Sequence, residues 1–200
     1  MSEFRRAQVF RAATEVIARE TFTGTTIRKV ADEAGVSTGT VNHYFVNKRA
    51  MLIETLEHMG TVWNDDLRRA VDQATPGRDR LDALMEAAAP TNATNRVRWK
   101  VWTAAWSEAV ASPELRAELR RSRERWLSLL GEKLGLINQE LNGPDIDALD
   151  VARTFTALLN GLIVQMLASD GALDADIPEI IRDHLLRNIG PGAQPALPRK

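Results

Sequence analysis

No cysteine occurs among the 200 residues, which excludes a disulfide framework, a thiolate zinc site and a cysteine nucleophile together. The absence suits a reducing cytoplasm, where the chain is expected to work, and gives secretion no support. Long apolar runs are also missing. The most apolar stretch, Phe155 to Ala168, is broken by Asn160 and Gln165 and is shorter than the roughly 20 residues of a membrane span. The start, with Glu3, Arg5, Arg6 and Arg11, lacks the apolar core of a signal peptide. No membrane partner is expected.

Catalytic constellations are scarce as well. The three histidines, His43, His58 and His184, are scattered and form no H-E-x-x-H pair. There is no G-x-S-x-G elbow, no G-x-G-x-x-G turn and no G-x-x-x-x-G-K-S/T loop. Asp65 and Asp66 are neighbours in sequence, so on a helix they point about 100° apart and do not face each other as an acid/base pair. The chain is expected to have no catalytic residue, metal or cofactor, and not to be an enzyme. A hydrolase acting without metal is the most remote alternative.

Neither sign of charge is in excess over the whole chain, with 26 Lys+Arg against 27 Asp+Glu, and a uniformly basic coat for nucleic acid is thereby excluded. The first fifty residues differ. They hold eight bases (Arg5, Arg6, Arg11, Arg19, Arg28, Lys29, Lys48, Arg49) against five acids (Glu3, Glu15, Glu20, Asp32, Glu33). A basic head on an acidic body suits a protein that meets phosphate at one end.

What is present is helical periodicity, with no run of strict alternation that would argue for a sheet. The spacing predicts an all-α chain of about nine helices, near 3–20, 27–34, 37–44, 47–74, 79–88, 95–110, 113–134, 146–169 and 177–189. Thr26, Ser37 and Asn47 are the expected N-caps of the second, third and fourth, and Gly35 the left-handed residue closing the second. Pro76-Gly77, Pro90, Pro113, Gly143-Pro144 and Gly171 separate the later ones, and the tail from Gly190 is expected to fray.

Two short helices joined by a tight turn, Ile27 to Phe45, carry the functional signal. Ala31 is small where they cross, Gly35 turns the chain, and Val41 plugs the third helix into the head. That is helix-turn-helix spacing, with an ordinary helical hairpin as the alternative. Thr38, Gly39, Thr40, Asn42 and His43 then face outward as a short polar set able to enter a major groove. Lys48 and Arg49 open the next helix, where the macrodipole is already positive. Two cations there are favourable when an external anion such as phosphate joins them, and otherwise read as solvated bases. Thr26 and Tyr44 lie near the same rim.

Gly24-Thr25-Thr26-Ile27 through Ala31, Ala34-Gly35-Val36-Ser37, Gly39-Thr40-Val41, Tyr44-Phe45 and Lys48, about a quarter of the chain, resemble the DNA-binding head of the TetR family. The resemblance implies a homodimeric, ligand-responsive repressor with a helical second domain and a double-stranded operator as partner. Asn42 stands where the family often has an aromatic, and Arg49 where an acid often follows the lysine. Asn42-His43-Tyr44-Phe45, Lys100 with Trp102 and Trp106, Pro113-Glu114-Leu115 and Arg125-Trp126-Leu127-Ser128 are similar to the subgroup that represses betaine-synthesis genes.

The expected division is 1–46 for DNA binding, 47–189 for effector binding and dimerisation, and 190–200 as tail. Thr26, Arg28, Ser37, Thr38, Gly39, Thr40, Asn42, His43, Tyr44 and Lys48 are the candidate DNA contacts. Trp99, Trp102 and Trp106 recur on one side of a helix, and with Trp63 they are read either as core or as the wall of an effector pocket. The effector is expected to be a cationic or amphipathic small molecule; a quaternary ammonium or polyamine would be held there by cation–π contact, with Asp65, Asp66 or Glu108 as counter-charge. Phe155, Leu159, Leu162, Ile163 and Met166, with Ile181 and Leu185, are expected to pair two copies across a two-fold axis. A helical small-molecule binder that does not touch DNA is the alternative function.

Overall fold

A computed structural model describes residues 2–169 and 176–193. Among these residues nine helices and no strand occur: α1 (Ser2–Gly24), α2 (Ile27–Ala34), α3 (Thr38–Tyr44), α4 (Lys48–Gln73), α5 (Arg78–Ala88), α6 (Ala93–Ala109), α7 (Pro113–Glu140), α8 (Ala148–Ala168) and α9 (Ile177–Asn188). The all-α class follows as the spacing predicts. Gly171 and residues 194–200 lie outside the described residues; Gly190, where fraying was expected to begin, is instead buried and donates its amide to Asn138 Oδ1 at 2.8 Å.

Local chemistry sets the helix starts. Thr26 Oγ1 accepts from the Lys29 amide at 3.2 Å, Ser37 Oγ from Thr40 at 3.1 Å, and Asn47 Oδ1 from Ala50 at 2.8 Å. Each bond satisfies an amide with no partner inside its helix. Gly35 ends α2 at φ 64°, and the Gly35 and Val36 amides close on the Asp32 and Ala31 carbonyls. Two elements depart from the sequence reading. α1 does not stop at Glu20: Thr21 takes φ 62°, ψ 177°, and another helical turn follows. A β-branched residue there is strained; the Thr25 amide and hydroxyl both close on the Thr21 carbonyl, at 3.2 and 2.6 Å. α7 runs past 134 to Glu140 because Gly131 and Gly135 serve close packing. A Cβ on Gly131 would lie 3.6 Å from Leu149 Cα, and one on Gly135 3.5 Å from Ala148 Cβ.

The chain folds as two compact units, with α4, α6 and α7 contributing to both: Met1–Trp63 with Arg96–Ser122, and Asn64–Asn95 with Arg123–Lys200. In the first, Val9, Ala13, Val16 and Ile17 of α1 join Val30 and Ala34 of α2, Val41 of α3 and Met51 and Leu56 of α4 in one core. Phe10 and Phe45 meet edge to face, centroids 5.4 Å apart. Val41 is the one buried residue of α3, so the helix is pinned by a single stripe and its remaining faces stay open.

In the second unit, Val151, Phe155, Leu159 and Ile163 of α8 and Ile177, Ile181 and Leu185 of α9 are buried, and the two helices pack together, with α9 also on α5. The residues expected at a two-fold interface therefore divide. Phe155, Leu159, Ile163, Ile181 and Leu185 are interior to this chain, because each stripe finds its cover on the other helix of the same unit. Leu162 and Met166 are half-buried, and the exposed side of α8 carries Asp150, Arg153 and Thr154 as well as Ala157, Gly161, Val164 and Ala168. The full helix, Ala148–Ala168, is long and apolar enough to cross a membrane by length and composition, a property missed by counting only from Phe155.

Candidate DNA-reading head and tryptophan cluster

With Val41 and Phe45 buried, helical geometry turns Thr38, Gly39, Asn42 and His43 outward, and all four are exposed. Thr40 is half-buried, with its hydroxyl 3.0 Å from Ser37 Oγ, so these two hydroxyls are occupied with each other and the cap. Tyr44 is half-buried and meets His43 edge to face at 5.3 Å. Thr26 is exposed. Arg28 is exposed and lies 3.9 Å from Asp32.

The cations near this face differ in what opposes them. Lys29 is paired with Glu20 and also donates to the Gly24 carbonyl at 3.1 Å. The Lys29 ammonium, with Arg19 in support, holds the Glu20 carboxyl below its usual range. Arg49 donates to Ser112 Oγ at 3.3 Å and lies 3.5 Å from Glu114, so its charge is matched from within. Lys48 Nζ donates to the Thr23 carbonyl at 3.0 Å, and among the described residues no carboxylate pairs with it. Its remaining donors stand at the start of α4, where the helix dipole also favours an anion. Beside it, a cleft of ≈ 440 Å³ opens between Phe22 and Thr23 of α1, Leu52 and Ile53 of α4, and Leu115 of α7. Further along α4, His58 stacks on Phe10 of α1 at 4.5 Å. Partial desolvation, with Arg6 adding, pushes the imidazole below its ordinary pKa.

The same unit holds four of the five tryptophans, Trp63, Trp99, Trp102 and Trp106. Trp63 and Trp99 are buried and perpendicular, centroids 5.3 Å apart, and Trp106 lies 6.4 Å from Trp99. The Arg98 guanidinium lies 5.6 Å from the Trp63 ring centroid. Trp102 is half-buried, its Cζ2 3.5 Å from where a Cβ on Gly60 would sit. The acids expected as counter-charges are engaged elsewhere: Asp65 with Arg68 at 3.3 Å, Asp66 with Arg69 at 2.5 Å, and Glu108 accepting from Thr23 Oγ1 at 3.3 Å. A carboxylate of the same unit, Glu118 of α7, is fully buried, accepting from Ser122 Oγ at 2.8 Å and paired with Arg121 at 2.6 Å. Ser122 Oγ also lies 3.7 Å from the Gly60 Cβ position. Sequence reasoning missed Glu118. The available signal was its position in α7, where Leu115, Glu118 and Ser122 share the i, i+3, i+7 stripe that faces inward.

A three-helix head whose third helix offers a polar face beside an uncompensated lysine defines a helix-turn-helix protein. Residues 9–55 match the family described as bacterial regulatory proteins, tetR family, and residues 76–190 match BetI-type transcriptional repressor, C-terminal. The HTH-type transcriptional regulator BetI of Burkholderia cenocepacia is 31% identical over 176 residues, 87% of this chain and 88% of that protein. The regulator of the same name from Paraburkholderia phymatum is 32% identical over 177 residues, 88% of this chain and 85% of that protein. Among solved structures, a transcriptional regulator from Saccharomonospora viridis in complex with choline superposes with a TM-score of 0.76 at 27% identity, covering 94% of this chain and 96% of that one. The chain belongs to the TetR family, and to its BetI-type repressors. It is a ligand-responsive, DNA-binding transcriptional regulator, which sets aside the reading of a binding protein that ignores DNA.

Proposed function

We propose that the protein is a homodimeric repressor that holds its operator in the effector-free form and is released by a small organic cation. The observation that carries this reading is the joining, within one unit, of an outward polar helix, a lysine with no opposing acid and a tryptophan cluster. Thr26, Arg28, Ser37, Thr40, Tyr44 and Lys48 then meet sugar-phosphate, while Thr38, Gly39, Asn42 and His43 face the bases. Residues 1–46 serve DNA binding and 47–189 effector binding and dimerisation.

Trp63, Trp99, Trp102 and Trp106 offer indole faces to a quaternary ammonium, and choline bound to the Saccharomonospora viridis neighbour supports that class. Half-buried Trp102 and Trp106 are the accessible members, with Trp63 and Trp99 backing them. The route to DNA is short. α6 carries the tryptophans and Glu108; Glu108 accepts from the Thr23 hydroxyl, and the Thr23 carbonyl accepts from Lys48. An effector that shifts α6 thereby shifts the lysine. A coupling of about 1–3 kcal/mol suffices for release. The mechanism calls for no catalytic step, metal or cofactor, and it operates where the DNA is, in the cytoplasm.

The test is fluorescence anisotropy of a labelled duplex from upstream of the protein's own gene, titrated with choline. Choline is expected to release the wild-type protein. Trp102→Ala is expected to bind the duplex unchanged and to need about 2- to 30-fold more choline, the equivalent of one cation–π contact. A bound duplex indifferent to choline sinks the proposed effector class. Equal loss of duplex binding and of response returns Trp102 to core packing.

A further inference from the structure

The reading helix, Thr-Gly-Thr-Val-Asn-His-Tyr, contains no arginine, lysine, glutamine or acid. Its choice of bases must come from what remains exposed: Thr38, Gly39, Asn42 and His43. Of these, only Asn42 presents a donor and an acceptor side by side on one planar group, and among the described residues its carboxamide makes no hydrogen bond. In the major groove adenine shows the matching pair, an N7 acceptor beside an N6 donor, whereas guanine shows two acceptors that leave the carboxamide oxygen unpaired. Thr38 lies one turn earlier on the same stripe, about 6 Å along the axis, close to two base-pair steps of roughly 3.4 Å. Its hydroxyl is likewise unengaged, while those of Ser37 and Thr40 are committed to each other. Gly39 lies beside them; a Cβ there would meet only Ser37 Oγ, at 3.5 Å. The protein's own packing therefore does not require glycine, and the bare backbone lets the helix approach a base edge closely.

We propose that Asn42 fixes an adenine in each operator half-site, with Thr38 against a thymine methyl about two base pairs away. Base selection by this helix thus centres on A·T pairs. The inference rests on the DNA-binding function and adds the residue that determines specificity.

The experiment selects duplexes from a pool with a randomised centre, using the full chain as wild type, Asn42→Ala and Asn42→Arg, and sequences what is retained. The wild type is expected to hold adenine at one position of each half-site, and in direct competition to prefer A·T over G·C there by about 5- to 150-fold. N42A is expected to level that position, and N42R to convert it to guanine. Because Asn42 is exposed and unbonded, both variants are expected to melt with the wild type in circular dichroism. An adenine preference that survives in N42A, or a wild-type site with no fixed adenine, overturns the proposal and leaves DNA binding standing. A wild-type protein that enriches no sequence overturns both.

Discussion

Lys48 and Arg49 are adjacent cations at the start of one helix, yet they are not equivalent. Arg49 is matched by Glu114 and Ser112 from a distant turn of the chain, whereas Lys48, among the described residues, is held only by the Thr23 carbonyl. A carbonyl positions an ammonium without neutralising it, so Lys48 keeps its charge for an outside partner. Lys48→Ala is therefore expected to weaken operator and random duplex alike. It should lower the slope of log affinity against log salt by about one counterion. Arg49→Ala, which removes a charge already paired, should change that slope much less. Anisotropy titrations across a salt series measure both, and equal slopes for the two variants would return Lys48 to the solvated surface. The sequence singled out the pair but not the difference between its members, because the deciding acid lies on another helix.

At the scale of the element, α4 carries Lys48 at its start and Trp63 further along, about 22 Å apart at 1.5 Å per residue. Gly60 is buried on the face of α4 that meets Trp102 of α6, and a single added carbon there makes ordinary contact at 3.5 Å. Gly60→Ala is expected to raise the melting temperature, since glycine inside a helix costs about 1 kcal/mol relative to alanine, and to leave the effector response in place. Gly60→Val adds two methyls that must displace the indole or Ser122, and should move the effector midpoint by about fivefold or more. Dose–response curves that coincide for the two variants would exclude this contact from the coupling. The helices and their caps were legible because Thr26, Ser37, Asn47 and Gly35 act on amides within three or four residues. What was not legible depends on distant partners. α7 continues through Gly131 and Gly135 because the start of α8 approaches them. The positive φ of Thr21 is likewise set by packing rather than by residue type. In the site, the outward face of α3 followed from its period, but the buried carboxylate of Glu118 is defined by packing that the spacing only hinted at.

For the whole molecule, a reader of double-stranded DNA gains from two-fold symmetry, since paired reading helices address half-sites about 34–36 Å apart. The apolar stripe of α8 that first attracts notice is covered by α9 of the same chain, so it is not expected to meet a second copy. A second copy is expected on the opposite side, where Ala157, Gly161, Val164 and Ala168 are exposed beside Arg153 and Thr154, and Leu162 and Met166 are half-buried. Val164 keeps 45% of its surface, and a Cβ on Gly161 would meet nothing within 4 Å. Small residues on such a side let two helices approach closely, and a symmetric contact brings each α8 against its own copy. Val164→Asp places like charges near that axis without touching the interior stripe. It is expected to convert a dimer to a monomer in sedimentation velocity while leaving the circular dichroism spectrum helical. Operator affinity should fall with it, because a single head meets only half of the phosphates and bases, whereas Arg182→Ala on the exposed side of α9 should leave the dimer intact. A V164D protein that sediments as the wild type places the two-fold axis elsewhere on the molecule.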